Sequence, residues 1–367
     1  MHVFALGSFD DVMFPVLVSH ICHSWRAVAI HTQTLWRRIV LTQHSDLIMW
    51  QERLRRARSC TLDVVLASHR SSRESHDIDV LALQMHLLAP HLARMRSIDI
   101  RIDGYTPYLW NIILGPLCRN SYHCAPGTSD PHSSEGLFAP RLESMSLRYP
   151  WNDDTKEFSL FDGLSPRLSR LTIQGVRLTW LPGLFGSLRC LDYTHHGFTS
   201  GRTAVDEILS ILQVSCQLRE LKLCLASNVM ETEILYIREK PVVEEIVTLQ
   251  FLETLSLGVD GADADVPTDL ISIVSQLSLP ALRKLDLSDH GLAICSPNHN
   301  AVQFAELPTF FDTISQRAHW GDVMDLSVEG RWVELPLIIG LGRSFSSLRT
   351  ITVNGIVRNL GFDNEMT

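Results

Sequence analysis

Residues 218–223 read LRELKL, residues 252–257 read LETLSL and residues 282–287 read LRKLDL. Each hexapeptide has an apolar residue, two variable positions, a second apolar residue, one variable position and a third apolar residue. The last two apolar residues are two apart, the spacing of one face of a β-strand, and the residue between them points the other way. Each hexapeptide is therefore expected to hold one short strand. The pattern recurs as LESMSL at 142–147, LSRLTI at 168–173, LRCLDY at 188–193 and LRTITV at 348–353. Weaker copies are Met95-Ile98-Ile100 and Val323-Leu326-Val328. One such strand cannot bury its apolar face alone, whereas parallel stacking of many builds a sheet whose inner face the return segments can cover. The triplets from Met95 to Val353 are expected to form one parallel sheet, with Leu171, Leu221, Leu255 and Leu285 in neighbouring buried ladders.

The return segments support this reading where they are long. Ile78–Leu88, Ala204–Val214 and Leu270–Leu277 space their apolar residues three and four apart, which predicts helices. Val205, Ile208, Leu209 and Leu212 line one face of the second, and Leu270, Ile273, Val274 and Leu277 one face of the third. Residues 121–136, 259–268 and 296–301 are read as loops. Leu-x-x-Leu-x-Leu occurs by chance in many cores. Here the number of copies decides for a repeat, together with the turn-forming APRL (139–142), SPRL (165–168) and LPAL (279–282) ahead of several of them.

The copies resemble the leucine-rich-repeat family, in particular its irregular members, over about residues 92–356; the Asn or Cys that closes the family's strand motif is mostly missing. The N-terminal stretch FPVLVSHICHSWRAVAIHTQTLWRRIVL (14–41) has Val18, Ile21, Cys22 and Trp25 at helical spacing, then Leu35-Trp36. It resembles the second half of an F-box, in which a Val-Cys-x-x-Trp helix precedes a Leu-Trp pair. Trp50-x-Glu52-Arg53 and Cys60-x-Leu62-x-Val64 resemble the connection that leads into the repeats of fungal F-box proteins. An F-box opens with a Leu-Pro-x-Glu helix start, and none precedes Phe14. Either the protein extends further upstream or this copy is degenerate, and the chain as given is expected to bind an adaptor weakly or not at all.

The implied fold is α/β: an irregular leucine-rich-repeat-like solenoid, a parallel sheet with helices on its convex side, preceded by a short all-α F-box-like segment. The expected divisions are a partial F-box-like segment over 14–42, a connecting helix, strand and linker over 43–91, and the solenoid over 92–357. Trp25 and Trp36 are expected to share one small core in a helical unit separate from the repeats. Basic residues Arg53, Arg55, Arg56 and Arg58 are read as a solvated helix face.

Composition narrows the function classes. The formal net charge of -9 argues against a surface built to neutralise phosphates, and so against nucleic acid as a partner. No run of 18 apolar residues occurs, and Asp10 and Asp11 stand where a secretory signal would carry positive charge, so neither a membrane nor secretion is expected. Eight cysteines without a C-x-x-C pair suit reduced thiols in the cytoplasm or nucleus, and Cys190 and Cys224 are read as small buried hydrophobes. None of the 16 histidines has metal-ligand spacing; His195-His196 comes closest, but adjacent residues on an extended segment diverge, and the pair is read as a loop after the strand. His20, His23 and His31 are assigned to exposed helix faces. No P-loop, G-x-G-x-x-G or G-x-S-x-G is present, and Asp99, Asp192 and Asp286 lack a neighbouring nucleophile or base, so no catalytic residue, metal or cofactor is assigned.

The two resemblances together imply a non-enzymatic substrate-recognition subunit of a Skp-cullin-F-box ubiquitin ligase. The Skp adaptor, and through it the cullin scaffold, would contact Phe14, Pro15, Leu17, Val18, Ile21, Trp25, Leu35 and Trp36. A protein substrate would lie on the concave face, at Arg170, Thr172, Arg189, Asp192, Glu220, Lys222, Lys284 and Asp286. The alternative is a protein-binding scaffold with a degenerate F-box and no ubiquitin role.

Overall fold

A computed structural model describes residues 7–8, 11–42, 44–68, 78–105, 109–118, 138–226, 246–260, 265–289, 304–316 and 320–359. The loop expected at 121–136, that at 296–301, and Cys124 and Cys295 lie outside these residues. The chain divides into two compact units, Met1–Ser187 and Leu188–Thr367. Both are α/β, with mostly parallel strands. Among the described residues no helix is long and apolar enough to cross a membrane.

The first unit begins with helices α1 (Phe14–Ser19) and α2 (His23–His31), a 3-10 turn over Gln33–Trp36, and strand β1 (Arg38–Leu41). Helix α3 (Leu47–Ala57) follows, its N-terminus capped by Asp46, whose carboxylate accepts the Ile48 amide at 2.9 Å. Then come β2 (Leu62–Ser68), α4 (Ile78–Leu88), β3 (Met95–Ile102), α5 (Leu109–Leu114), β4 (Ser144–Arg148), β5 (Glu157–Phe158), β6 (Arg170–Gln174), β7 (Arg177–Leu178) and α6 (Pro182–Phe185). β1, β2, β3, β4 and β6 pair in that order, all parallel, and β5 pairs with β7. The register aligns Ile39, Val64, Ile98, Met145 and Leu171 in one ladder and Leu41, Leu66, Ile100, Leu147 and Ile173 in the next, all buried.

The N-terminal segment is thus not all-α. Its residues 38–41 (RIVL) alternate in burial, with Ile39 and Leu41 fully covered, and a half-buried alternating run of branched residues satisfies its backbone best on a sheet edge. β1 therefore ties the helices before it to the sheet that the repeats build.

The second unit contains β8 (Cys190–Thr194), α7 (Arg202–Val214), β9 (Glu220–Ala226), β10 (Val247–Thr248), β11 (Thr254–Asp260), α8 (Thr268–Ser275), β12 (Leu277–Ser278), β13 (Lys284–Asp289), α9 (Leu307–Ser315), β14 (Asp325–Glu329), α10 (Leu335–Ser344), β15 (Thr350–Val353) and β16 (Ile356–Asn359). β8, β9, β11, β13, β14 and β15 run parallel in that order. Leu191, Leu221, Leu255, Leu285, Leu326 and Ile351 form one ladder. All but Ile351 are buried, because Ile351 stands at the last repeat strand. α7 packs on α8, α8 on α9 and α9 on α10. Leu277, expected on the third helix, instead pairs with Val247 as the start of β12, since the helix stops at Ser275. β11 carries on through Val259 and Asp260, which were expected in a loop.

β16 returns antiparallel to β15 through Asn354-Gly355, where both residues have positive φ, 46° and 77°. That conformation is the one a tight Asn-Gly hairpin needs and most side chains resist.

Two backbone motifs repeat with the sequence copies. The first Leu of most copies closes a turn: Leu142, Leu168, Leu218, Leu252 and Leu282 each donate an N–H to the carbonyl three residues earlier, at 3.1–3.3 Å. Three of these turns carry Pro140, Pro166 or Pro280 at the second position, where the fixed φ of proline fits. The carbonyl just before the strand then accepts two amides from the following copy, as Glu253 does from Arg283 (2.9 Å) and Lys284 (3.0 Å). The same arrangement occurs at Glu143, Arg189, Arg219, Arg283 and Met324.

Candidate functional site

Three places carry the residues singled out in the sequence: the surface of α1 and α2, the uncovered strand faces in each unit, and the His195-His196 turn.

On the first, Met13, Leu17, Ile21 and Trp25 are 36, 59, 61 and 42% exposed, whereas Pro15, Val18, Leu35 and Trp36 are buried. Phe14 is half-buried. The eight residues expected to meet an adaptor thus divide between the surface and the unit's own core. Burial excludes Pro15, Val18, Leu35 and Trp36 from direct contact in this conformation. The shared core expected for Trp25 and Trp36 is not formed. The Trp36 indole donates to the Ala29 carbonyl at 2.7 Å, and Arg53 lies over its ring at 5.4 Å. Trp25 sits one turn nearer the start of α2 than Ala29 and stays at the surface. His20, His23 and His31 are exposed, as expected.

Arg53 corrects the reading of a solvated basic face. It is 3% exposed, donates from Nε to the Arg38 carbonyl (2.7 Å) and from Nη2 to the Leu35 carbonyl (3.3 Å), and lies over both Trp36 and Trp50. Helical phase groups it with apolar residues, but what it packs against is set by the fold. Trp50, Arg53, Leu54 and Ala57 fall at i, i+3, i+4 and i+7 and are the buried residues of α3. Arg55 does face outward, whereas Arg56 is partly covered against the Trp36 ring, and both bind Glu52, at 2.6 and 2.8 Å. Their hydrogen bonds hold the Glu52 carboxyl down at about 2.

On the uncovered sheet faces, the residues between ladder positions line up across strands. In the first unit one row is Asp63, Ser97, Ser144 and Arg170, and another is Val65, Asp99, Ser146 and Thr172. In the second unit the rows are Cys190, Glu220, Thr254, Lys284, Asp325, Thr350 and Asp192, Lys222, Ser256, Asp286, Ser327, Thr352. Arg189 is not in them. β8 enters register at Cys190, opposite Glu220, so Arg189 stands one residue early, and with a period of two that is the wrong phase for this face. Cys190 is accordingly half-buried, and only Cys224 of the pair is a buried thiol, its pKa pushed up to about 12 chiefly by burial. Charges on these faces are locally paired: Asp63 with Arg96 (2.8 Å), Asp99 with Arg101 (2.5 Å) and Asp286 with Lys284 (2.8 Å).

The histidine pair lies in a turn just after the strand, as expected, and its two rings come together there. β8 ends at Thr194, and the following turn stacks the two rings with centroids 4.3 Å apart. With Glu207 of α7 they form a cluster whose nitrogen and oxygen atoms could hold a cation. The hydrogen bonds argue otherwise. The Gly197 amide donates to His195 Nδ1 (3.3 Å) and the Phe198 amide to His196 Nδ1 (3.0 Å), so in the neutral rings the protons lie on Nε2. His196 Nε2–H then donates to Glu207 Oε1 (2.8 Å), and His195 Nε2 meets Thr199 Oγ1 (3.0 Å), which donates to Glu207 Oε2 (3.0 Å). A metal would need the Nε2 lone pairs, and freeing them would break both amide contacts. The cluster is a hydrogen-bonded clasp joining the β8 turn to α7. Glu207→Ala should orphan the buried His196 Nε2–H and cost about 1–3 kcal/mol in a urea melt, while Glu207→Gln, which keeps an acceptor, should cost less. Equal losses for the two variants would mean the acceptor is not what holds the turn.

No protein-family model matches the chain, and no curated protein shows significant similarity to it.

Proposed function

We propose that this protein is a non-enzymatic recognition subunit in which the repeat strands form a leucine-rich-repeat-like solenoid that holds a protein partner, while α1 and α2 dock a Skp-type adaptor of a cullin ubiquitin ligase. The observation that carries the adaptor part is the run of solvent-facing apolar residues Met13, Leu17, Ile21 and Trp25, from the cap of α1 through the turn after it to the start of α2. Apolar helix faces left open in this way are what helix-in-groove partners bury, and binding energy concentrates in a few such anchors. The rows of mixed charge and hydroxyl groups on the uncovered sheet faces suit a protein or peptide more than a polyanion. Ligase chemistry would reside on other subunits.

Isothermal titration with a recombinant Skp-type adaptor tests the reading. Measurable binding is expected, with Leu17 and Ile21 among its buried anchors. The surface double variant Leu17→Asp/Ile21→Asp should lose it by about tenfold or more, since two buried anchors would become charged. Binding unchanged in that variant would remove α1 from the contact. No heat with either protein would favour the scaffold reading, in which the sheet faces alone bind a partner.

A further inference from the structure

Between α1, α2 and α3 lies a cavity of about 450 Å³, within the size range of small-molecule sites, lined by Arg26, Arg53, Arg56, Glu52 and His20 on its polar side. Its apolar wall is Val16, Ile30, Trp36 and Met49. We infer that this cavity binds a phosphate monoester, with the phosphate held by the three guanidinium groups and the organic portion against the Trp36 side.

Three arginines face one glutamate across the cavity. Glu52 is already committed to Arg55 and Arg56. Arg53 forms no ion pair among the described residues and spends Nε and Nη2 on backbone carbonyls. Arg26 spends only Nε, on the Ser19 carbonyl (2.8 Å), and Arg56 only Nε, on Glu52. The Nη1 of Arg53 and both Nη amines of Arg26 and Arg56 therefore have no hydrogen-bond partner among the described residues.

A buried cation without a carboxylate is costly, and Arg53 registers that cost. Burial first, and the nearby Arg38 second, bring it down to about 10, with Asp11 opposing weakly. A bound anion would relieve it. A carboxylate has two oxygens and one charge, and one arginine fork satisfies it. Here the donors come from three separate side chains and the excess charge is two, which matches a group with three terminal oxygens and close to two negative charges. Stacking of Arg56 (4.6 Å) and Arg53 (5.4 Å) on the Trp36 ring fixes the forks in place before a ligand arrives.

Titration of the full chain with phenyl phosphate by calorimetry tests this, with benzoate and inorganic phosphate as comparison probes. Phenyl phosphate should bind tighter than benzoate, and tighter than inorganic phosphate because of the apolar wall. Arg26→Gln/Arg56→Gln, at the more exposed positions, should weaken it by about tenfold or more while far-UV circular dichroism shows the fold retained. Arg53→Lys, which keeps the charge and loses the fork, should weaken it too. A short phosphotyrosine peptide separates two sources of the same chemistry: binding at least as tight as phenyl phosphate indicates a phosphorylated side chain, and rejection indicates a free ester. The inference is overturned if benzoate binds as well as phenyl phosphate, or if the double glutamine variant binds phenyl phosphate like the unaltered chain. Neither result depends on whether an adaptor docks at Leu17 and Ile21.

Discussion

Trp36→Ala is expected to destabilise the first unit by about 3–5 kcal/mol, the range for removing a buried indole, whereas Trp25→Ala should stay within about 0.5 kcal/mol. The two tryptophans lie eleven residues apart in the same short segment and look alike in sequence. Their surroundings differ. Trp36 is 2% exposed, its Nε1–H is bonded to the Ala29 carbonyl, and Arg53 and Arg56 lie against its ring. Alanine there would remove the surface that both cations rest on and leave the Arg53 guanidinium beside a void. Trp25 is 42% exposed and has far less to lose. Trp36→Phe separates the contributions, since it keeps most of the volume and loses only the hydrogen bond, worth about 1 kcal/mol. Denaturant unfolding monitored by far-UV circular dichroism checks the series. Because the chain has two compact units, the transition belonging to the first unit has to be resolved, and a single fitted free energy would mix the two. Equal effects at Trp25 and Trp36 would put Trp25 back in the core.

Leu255→Ala should destabilise the second unit by about 2–5 kcal/mol, with Ser256→Ala, one residue on, within about 0.5 kcal/mol. Leu255 is fully buried, flanked in register by Leu221 on one side and Leu285 on the other, so both neighbouring strands limit how far the site can collapse around a missing side chain. Ser256 points to the opposite face, beside Lys222 and Asp286. The contrast measures the phase of the strand directly. A small loss at Leu255 or a large one at Ser256 would mean that the register is shifted by one residue.

The parallel strands and their buried ladders were legible in the sequence because the signal is local and redundant. A period of two within each hexapeptide, copied many times, leaves one way to bury every fourth-position and sixth-position side chain, and a Pro-x-Leu turn ahead of a copy repeats the cue. Helices α4, α7 and α8 were legible for the same reason, at a period near 3.6. The end of α8 and the assignment of Leu277 to β12 were not, because a single residue can satisfy either pattern and the choice rests on Val247, thirty residues away. β1 was missed because four residues inside an otherwise helical segment carry too little periodicity to register.

What sequence by itself determined about this protein is therefore its class, α/β with stacked parallel strands, and which leucines are buried. Tertiary structure alone decided which side chains the surfaces present. Whether Arg53 is solvated or wedged between two indoles depends on where α3 lies against the Leu35–Trp36 turn. Whether His195 and His196 diverge or stack depends on the strand stopping at Thr194 and on Glu207 arriving from the next helix. Whether Arg189 joins the face row depends on the register with β9. Burial of an apolar ladder follows from a pattern that neighbouring residues already contain, whereas the environment of a polar group is set by partners distant in the chain, and those partners become neighbours only once the fold has formed.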